Sequence, residues 1–166
     1  MRVNNLSKMG GLISAAAMTA FGITTSAMAD VVTDWNEIML QSVKTGAMPP
    51  PKASRAYAMV QAAVYDSVNS ITRTHQPYKF MEATNALASK EAAAATAAHK
   101  VLVGLFPSQQ AALDQKLADT MAALGGSAQS KLDGQALGVT VGQKMLDSRA
   151  NDHSNDVVTY TPKDGP

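Results

Sequence analysis

Three consecutive prolines, Pro49 to Pro51, stand immediately before the run KASRAYAMVQAAVYDSVNSI, which ends at Ile71. Proline has no backbone N–H to donate and restrains the residue before it, so no helix can pass through the triplet. The prolines predict an extended lead-in and a fresh helix after it. Ala53, Ala56, Tyr57, Val60, Ala63, Val64, Val68 and Ile71 follow the three-and-four spacing of one buried helix face. A second strip, Arg55, Met59, Ala62, Asp66 and Asn69, is apolar in its middle and polar at both ends. Two such strips, with many Ala and Ser residues to permit close approach, predict a helix enclosed on more than one side, around which the rest of the chain is arranged.

The remainder divides at its N-terminus. Arg2 and Lys8 are followed by an uncharged, mostly apolar run from Met9 to Ile23, and Ala27-Met28-Ala29 offers small residues where a signal peptidase reads. This is the layout of a cleavable signal peptide over residues 1–29, leaving Asp30 as the new N-terminus and implying a periplasmic or secreted protein. A membrane anchor is the rival, but the run falls short of the ~20 apolar residues a span needs and is interrupted by Gly10, Gly11 and Gly22. Cleavage removes two basic residues and no acidic ones, so the formal charge moves from +1 to −1. Near neutrality there is no electrostatic drive toward nucleic acid or an anionic membrane. The absence of cysteine excludes a thiol nucleophile, a cysteine metal site and disulfide bridges, so the fold rests on packing. At 46% hydrophobic and 16% charged, the chain can bury one globular core.

Five helices are expected. The first spans Val31 to Thr45, with Asp34 and Glu37 as a capping box, Trp35, Ile38, Met39 and Val43 as its apolar stripe, and Gly46 as its end. The second follows the prolines, and Thr72 to Tyr78 reads as a loop. The third covers the alanine-rich residues 83–106, which favour helix almost regardless of context and stop at Pro107. The fourth, capped by Ser108, aligns Leu113, Leu117, Met121 and Leu124 and closes at Gly125-Gly126. The fifth runs from Ser127 to Arg149, with Leu132, Ala136, Val139 and Leu146 along one line and Gly134, Gly138 and Gly142 along another. Interior glycines each cost about 1 kcal/mol against alanine, so three at four-residue intervals predict a groove where another helix comes very close. No alternating strand pattern intervenes. The expected architecture is all-α: a bundle of about five helices over residues 30–151, then an extended tail, 152–166.

No reaction centre is legible. His75, His99 and His153 are the groups able to titrate near neutrality, and only His153, with Asp152 and Asp156, has carboxylates close by in sequence; a solvated turn explains those three better than a metal site. There is no Gly-x-Ser-x-Gly elbow and no phosphate-binding glycine loop. Arg55 and Asp66 are eleven residues apart on one helix face, able in principle to hold an anion. Pairing with partners on adjacent helices is the preferred reading. The ten methionines are dispersed through core positions rather than clustered as metal ligands.

The segments Val32-Thr33-Asp34-Trp35-Asn36, Pro49 to Val60 and Ala63-Val64-Tyr65-Asp66-Ser67-Val68-Asn69 resemble the N-terminal helical region of bacterial secreted proteins related to vanadium-dependent haloperoxidases, within the type 2 phosphatidic acid phosphatase superfamily. Gly142 to Tyr160, with Arg149-Ala150-Asn151-Asp152 and Tyr160-Thr161-Pro162, is similar to the close of that region. The resemblance implies an all-helical fold and, in complete members, a site for phosphate or vanadate. There either peroxide is activated to oxidise halide or a histidine attacks a phosphoester. The family's three site motifs are not matched. Lys44 is followed at the required distance by Pro51-Lys52 instead of Arg-Pro; Pro107-Ser108-Gln109-Gln110 stands for Pro-Ser-Gly-His; and after Ser148-Arg149, His153 comes two positions early with Asp156 three residues on. No catalytic, cofactor-binding or metal residue carries over, and no cofactor is assigned to this chain, although full-length relatives carry vanadate or none. The expectation is a scaffold portion, truncated or separately encoded, that is inactive alone. Its partner would be a C-terminal catalytic half, or another copy meeting it through exposed helix faces. The alternatives are a periplasmic interaction module that docks a separately encoded catalytic partner and, less favoured, an independent enzyme using Arg55, Asp66 and His99.

Overall fold

The computed structural model describes residues 30–157 and 159. The expected signal segment and residues 158 and 160–166 of the tail lie outside them. The described residues form five α-helices, α1 (Val31–Thr45), α2 (Pro50–Thr72), α3 (Lys90–Leu105), α4 (Gln110–Ala123) and α5 (Ala128–Ser148), and a single 3-10 turn, Pro107–Gln109, before α4. The all-α bundle expected from sequence is therefore the fold. No strand occurs among the described residues, and none of their helices is long and apolar enough to cross a membrane.

Local chemistry sets the helix ends, though not always where the sequence pattern placed them. The cap of α1 is Asp30, whose carboxylate accepts from the Val32 amide at 3.1 Å, so Asp34 and Glu37 lie inside the helix rather than forming its capping box. Pro50 and Pro51 occupy the first turn of α2, where a missing N–H leaves nothing unsatisfied. Ser89 and Ser127 cap α3 and α5 by accepting from Ala92 and Ser130. The third helix consequently begins at Lys90, and residues 83–89 belong to a long connection from α2.

The element at the centre is α3 rather than α2. It packs against each of the other four helices, and Ala92 through Ala98 are all buried, so its middle turns are enclosed on every side. Small side chains let its neighbours approach. On α5, a Cβ added to Gly138 would sit 2.6 Å from the Ala93 carbonyl oxygen and 2.7 Å from Thr96 Cβ, and one added to Gly142 would sit 2.8 Å from Lys100 Cβ. At Gly134 the added atom would meet the Ser89 carbonyl oxygen. The glycine groove is real, and α3 fills it. Trp35, Leu102, Val60, Val141 and Met145 complete the core around this seam. The opposite line on α5, Leu132 and Val139, faces outward and is about half exposed.

Candidate functional site

Arg55 and Asp66 are the polar residues of α2 able in principle to hold an anion, and the fold sends the two ends of that helix to different places. Arg55 and Asp66 share a face but stand about 16 Å apart along the helix axis. At the C-terminal end, Asp66 is fully buried. Its carboxylate accepts from three successive amides of the α2–α3 connection: Tyr78 N–H at 2.6 Å, Lys79 N–H at 2.9 Å and Phe80 N–H at 2.8 Å. Three backbone donors converging on one carboxylate satisfy a charge that burial alone would make prohibitive. Asn69 extends the attachment by donating to the His75 carbonyl oxygen at 2.7 Å and accepting from the His75 N–H at 3.1 Å. Ser70 Oγ accepts from the Glu82 amide at 3.0 Å. The far side of the connection is tied to α5 by the Lys144–Glu82 ion pair at 2.6 Å and by Asn85 donating to Asp133 at 2.8 Å.

At the N-terminal end, Arg55 grips the turn that follows α5. Its Nε and Nη2 donate to the two oxygens of Asp152 at 2.7 and 3.1 Å, and Nη2 also donates to the Arg149 carbonyl oxygen at 2.8 Å. The Arg55 guanidinium beside Asp152 holds that carboxyl well below the usual carboxylate range; burial, the next influence, pushes the other way, and contacts from Ser154 add to the lowering. Arg149 itself donates to the Tyr78 hydroxyl at 2.9 Å.

No histidine ring contacts Arg55 or Asp66. His99, on α3, lies between α1 and α4: its ring meets Trp35 edge to face with centroids 6.1 Å apart, and its Nε2 contacts Asp114 at 2.7 Å. His75 is held by its backbone, with Thr74 Oγ1 at 2.8 Å from its Nδ1. His153 pairs with Asp156 at 2.8 Å in an exposed turn, while Asp152 turns away from it to Arg55. Of the three residues weighed as metal ligands, two meet and the third does not. Among the described residues, no group of three or more His, Asp or Glu is placed to hold a metal ion. Arg55, Asp66 and His99 thus engage three separate partners rather than one substrate-sized space.

Two larger clefts remain. One, of about 520 Å³, lies on the outer face of α2 between Ala58, Gln61, Ala62 and Tyr65 and the connection residues Gln76 and Tyr78. The other, of about 480 Å³, runs between α1 and α4 and is lined by Ile38, Leu113 and Ala112 with Glu37 and Lys116 at its edges. Neither of these two contains a histidine; a smaller cleft of about 250 Å³, within the turn after α5, is lined by His153 and Asp156. Sequence reasoning missed the partners of Asp66 and Arg55, and no local signal marks them: Asp152 lies 97 positions from Arg55. Comparison of the chain with protein-family models, with curated proteins and with solved structures finds no match.

Proposed function

We propose that this chain is an exported helical scaffold: the N-terminal helical portion of a vanadium haloperoxidase or acid phosphatase-like protein, without catalytic activity of its own. The observation that carries this reading is the allocation of its polar side chains. Arg55, Asp66 and His99, the residues best suited to anion or proton chemistry, are each engaged by a different element of the fold. The resemblance of the α1, α2 and late α5 segments to that family supplies the rest, and the unmatched site motifs account for the lack of a centre. Incubating the purified full chain with p-nitrophenyl phosphate, and separately with bromide, peroxide and vanadate, tests it. No turnover above buffer is expected, and measurable turnover in either assay contradicts the reading.

A second reading, a module that docks a separately encoded catalytic polypeptide, is favoured by the outward Leu132 and Val139 on α5 and by Tyr65 and Tyr78 beside the α2 cleft. Coding sequence downstream that contains all three site motifs, in the same or a shifted frame, favours the scaffold. A stable complex on co-expression with such a catalytic chain favours docking, and a monomer indifferent to that chain contradicts it.

A further inference from the structure

The turn after α5 is attached in an unusual way for a segment so well placed. Ala150, Asn151, His153, Asn155 and Asp156 are exposed, Asp152 and Ser154 are half-buried, and Val157 is 94% exposed. No apolar side chain of the segment enters the core, so the hydrophobic effect does not hold it. Its own conformation is not relaxed either, because His153 adopts a left-handed backbone angle, φ 61°, that is uncommon outside glycine. What holds it is α2. The planar Arg55 fork takes both oxygens of Asp152 and also reaches the Arg149 carbonyl, and Lys52 Nζ adds one contact to Asn155 at 3.2 Å.

We propose that residues 150–156 are a releasable strap, fastened across the first turns of α2 by one buckle, the bidentate Arg55–Asp152 pair, and able to lift away while the bundle stays folded. The bundle does not depend on the strap, because α2 is anchored through Met59, Val60, Ala63 and Val64, which belong to the core cluster and lie beyond the turn that carries Arg55. Lifting bares the Arg55 guanidinium at the start of α2 and frees the already exposed Lys52 from Asn155. This inference is independent of the scaffold reading and stands or falls on the buckle alone.

Hydrogen exchange of the full chain, read by mass spectrometry, tests it with Arg55→Gln and Asp152→Asn. In both variants the amides of residues 150–157 are expected to exchange at least about ten-fold faster than in the parent, as for a locally opened segment, while those of α3 and α5 keep their protection. Trypsin cleavage of the Arg149–Ala150 bond is expected to accelerate in parallel. Arg55→Lys, which keeps the charge and loses the fork, is expected to fall between parent and Arg55→Gln. Unchanged exchange over 150–157 overturns the proposal, since something other than the buckle then holds the strap. Acceleration that extends into α3 and α5 also overturns it, since the segment is then part of the bundle. Should Arg55→Gln not fold, Asp152→Asn leaves α2 untouched and decides by the same readouts; failure of both to fold would refute a dispensable strap.

Discussion

At the C-terminal end of α2 a fully buried carboxylate, Asp66, collects three amides from a connecting loop, whereas at its N-terminal end Arg55 grips Asp152 with side chains that stay 27% and 20% exposed. Both are charged side chains on one helix, and both tie down a segment without regular structure. They differ in how much water is excluded. A buried charge cannot be abandoned by its partners without a large desolvation penalty, so the Asp66 end is integral to the fold. A partly exposed pair is screened and replaceable by water, so the Arg55 end can open. The same residue class therefore serves as a permanent tie in one place and a releasable one in the other.

Removing the buried tie should give the largest effect. Asp66→Ala leaves three amides without their acceptor and is expected to lower stability by about 3 to 5 kcal/mol, seen as an early midpoint in urea. A loss below about 1 kcal/mol would mean that the two ends are alike. Next comes Gly138→Ala, which loosens the seam beneath both ends: the new methyl has only 2.6 Å to the Ala93 carbonyl oxygen. The close approach outweighs the gain in helix propensity, and a net loss of about 1 to 3 kcal/mol is expected. Both ends should then exchange faster together. Ser70→Ala, which removes the hydroxyl acceptor of the Glu82 amide, sharpens the contrast within the buried end. It should cost about 1 kcal/mol, with faster exchange confined to the connection.

Acid gives the smallest effect on the whole bundle and the most selective one. The Asp152 carboxyl is held below the usual range chiefly by Arg55, so its contribution is complete above its ordinary value, about 3.9, and fades as pH falls toward the depressed one. At the same turn Lys52 is directed to Asn155 and His153 to Asp156, so neither cation replaces the fork. Strap protection, corrected for intrinsic exchange rates, should be level between pH 5 and 8 and decline only below about pH 4. A decline beginning near neutrality would assign the strap to His153 instead.

Much of the architecture is legible in the residues. The proline triplet, the alanine run, Gly125-Gly126 and the glycine line on α5 place the five helices and foretell the close seam. The rank of the helices is not legible. Alanine serves helix propensity and all-round burial equally well, so the pattern cannot distinguish α3 as a solvated helix from α3 as the centre, and the amphipathic α2 stands out instead. Residues 83–89 read as helix for the same reason, although Ser70 and Asp66 hold the preceding stretch extended from more than ten positions away. For the candidate residues, the two-ended polarity of the α2 strip is visible and its structural use is anticipated, but the partners lie in a connection and a turn rather than on adjacent helices. The identity of those partners depends on contacts between distant positions, which no spacing rule encodes.

The central claim, that the anion-capable side chains of this chain are engaged in holding it together, is tested most directly by titrating vanadate, and phosphate beside it, into the purified full chain in a calorimeter. Heats indistinguishable from dilution are expected for both. Saturable binding near one equivalent that disappears in Arg55→Gln or His99→Gln would contradict the claim, since those groups would then be serving a ligand.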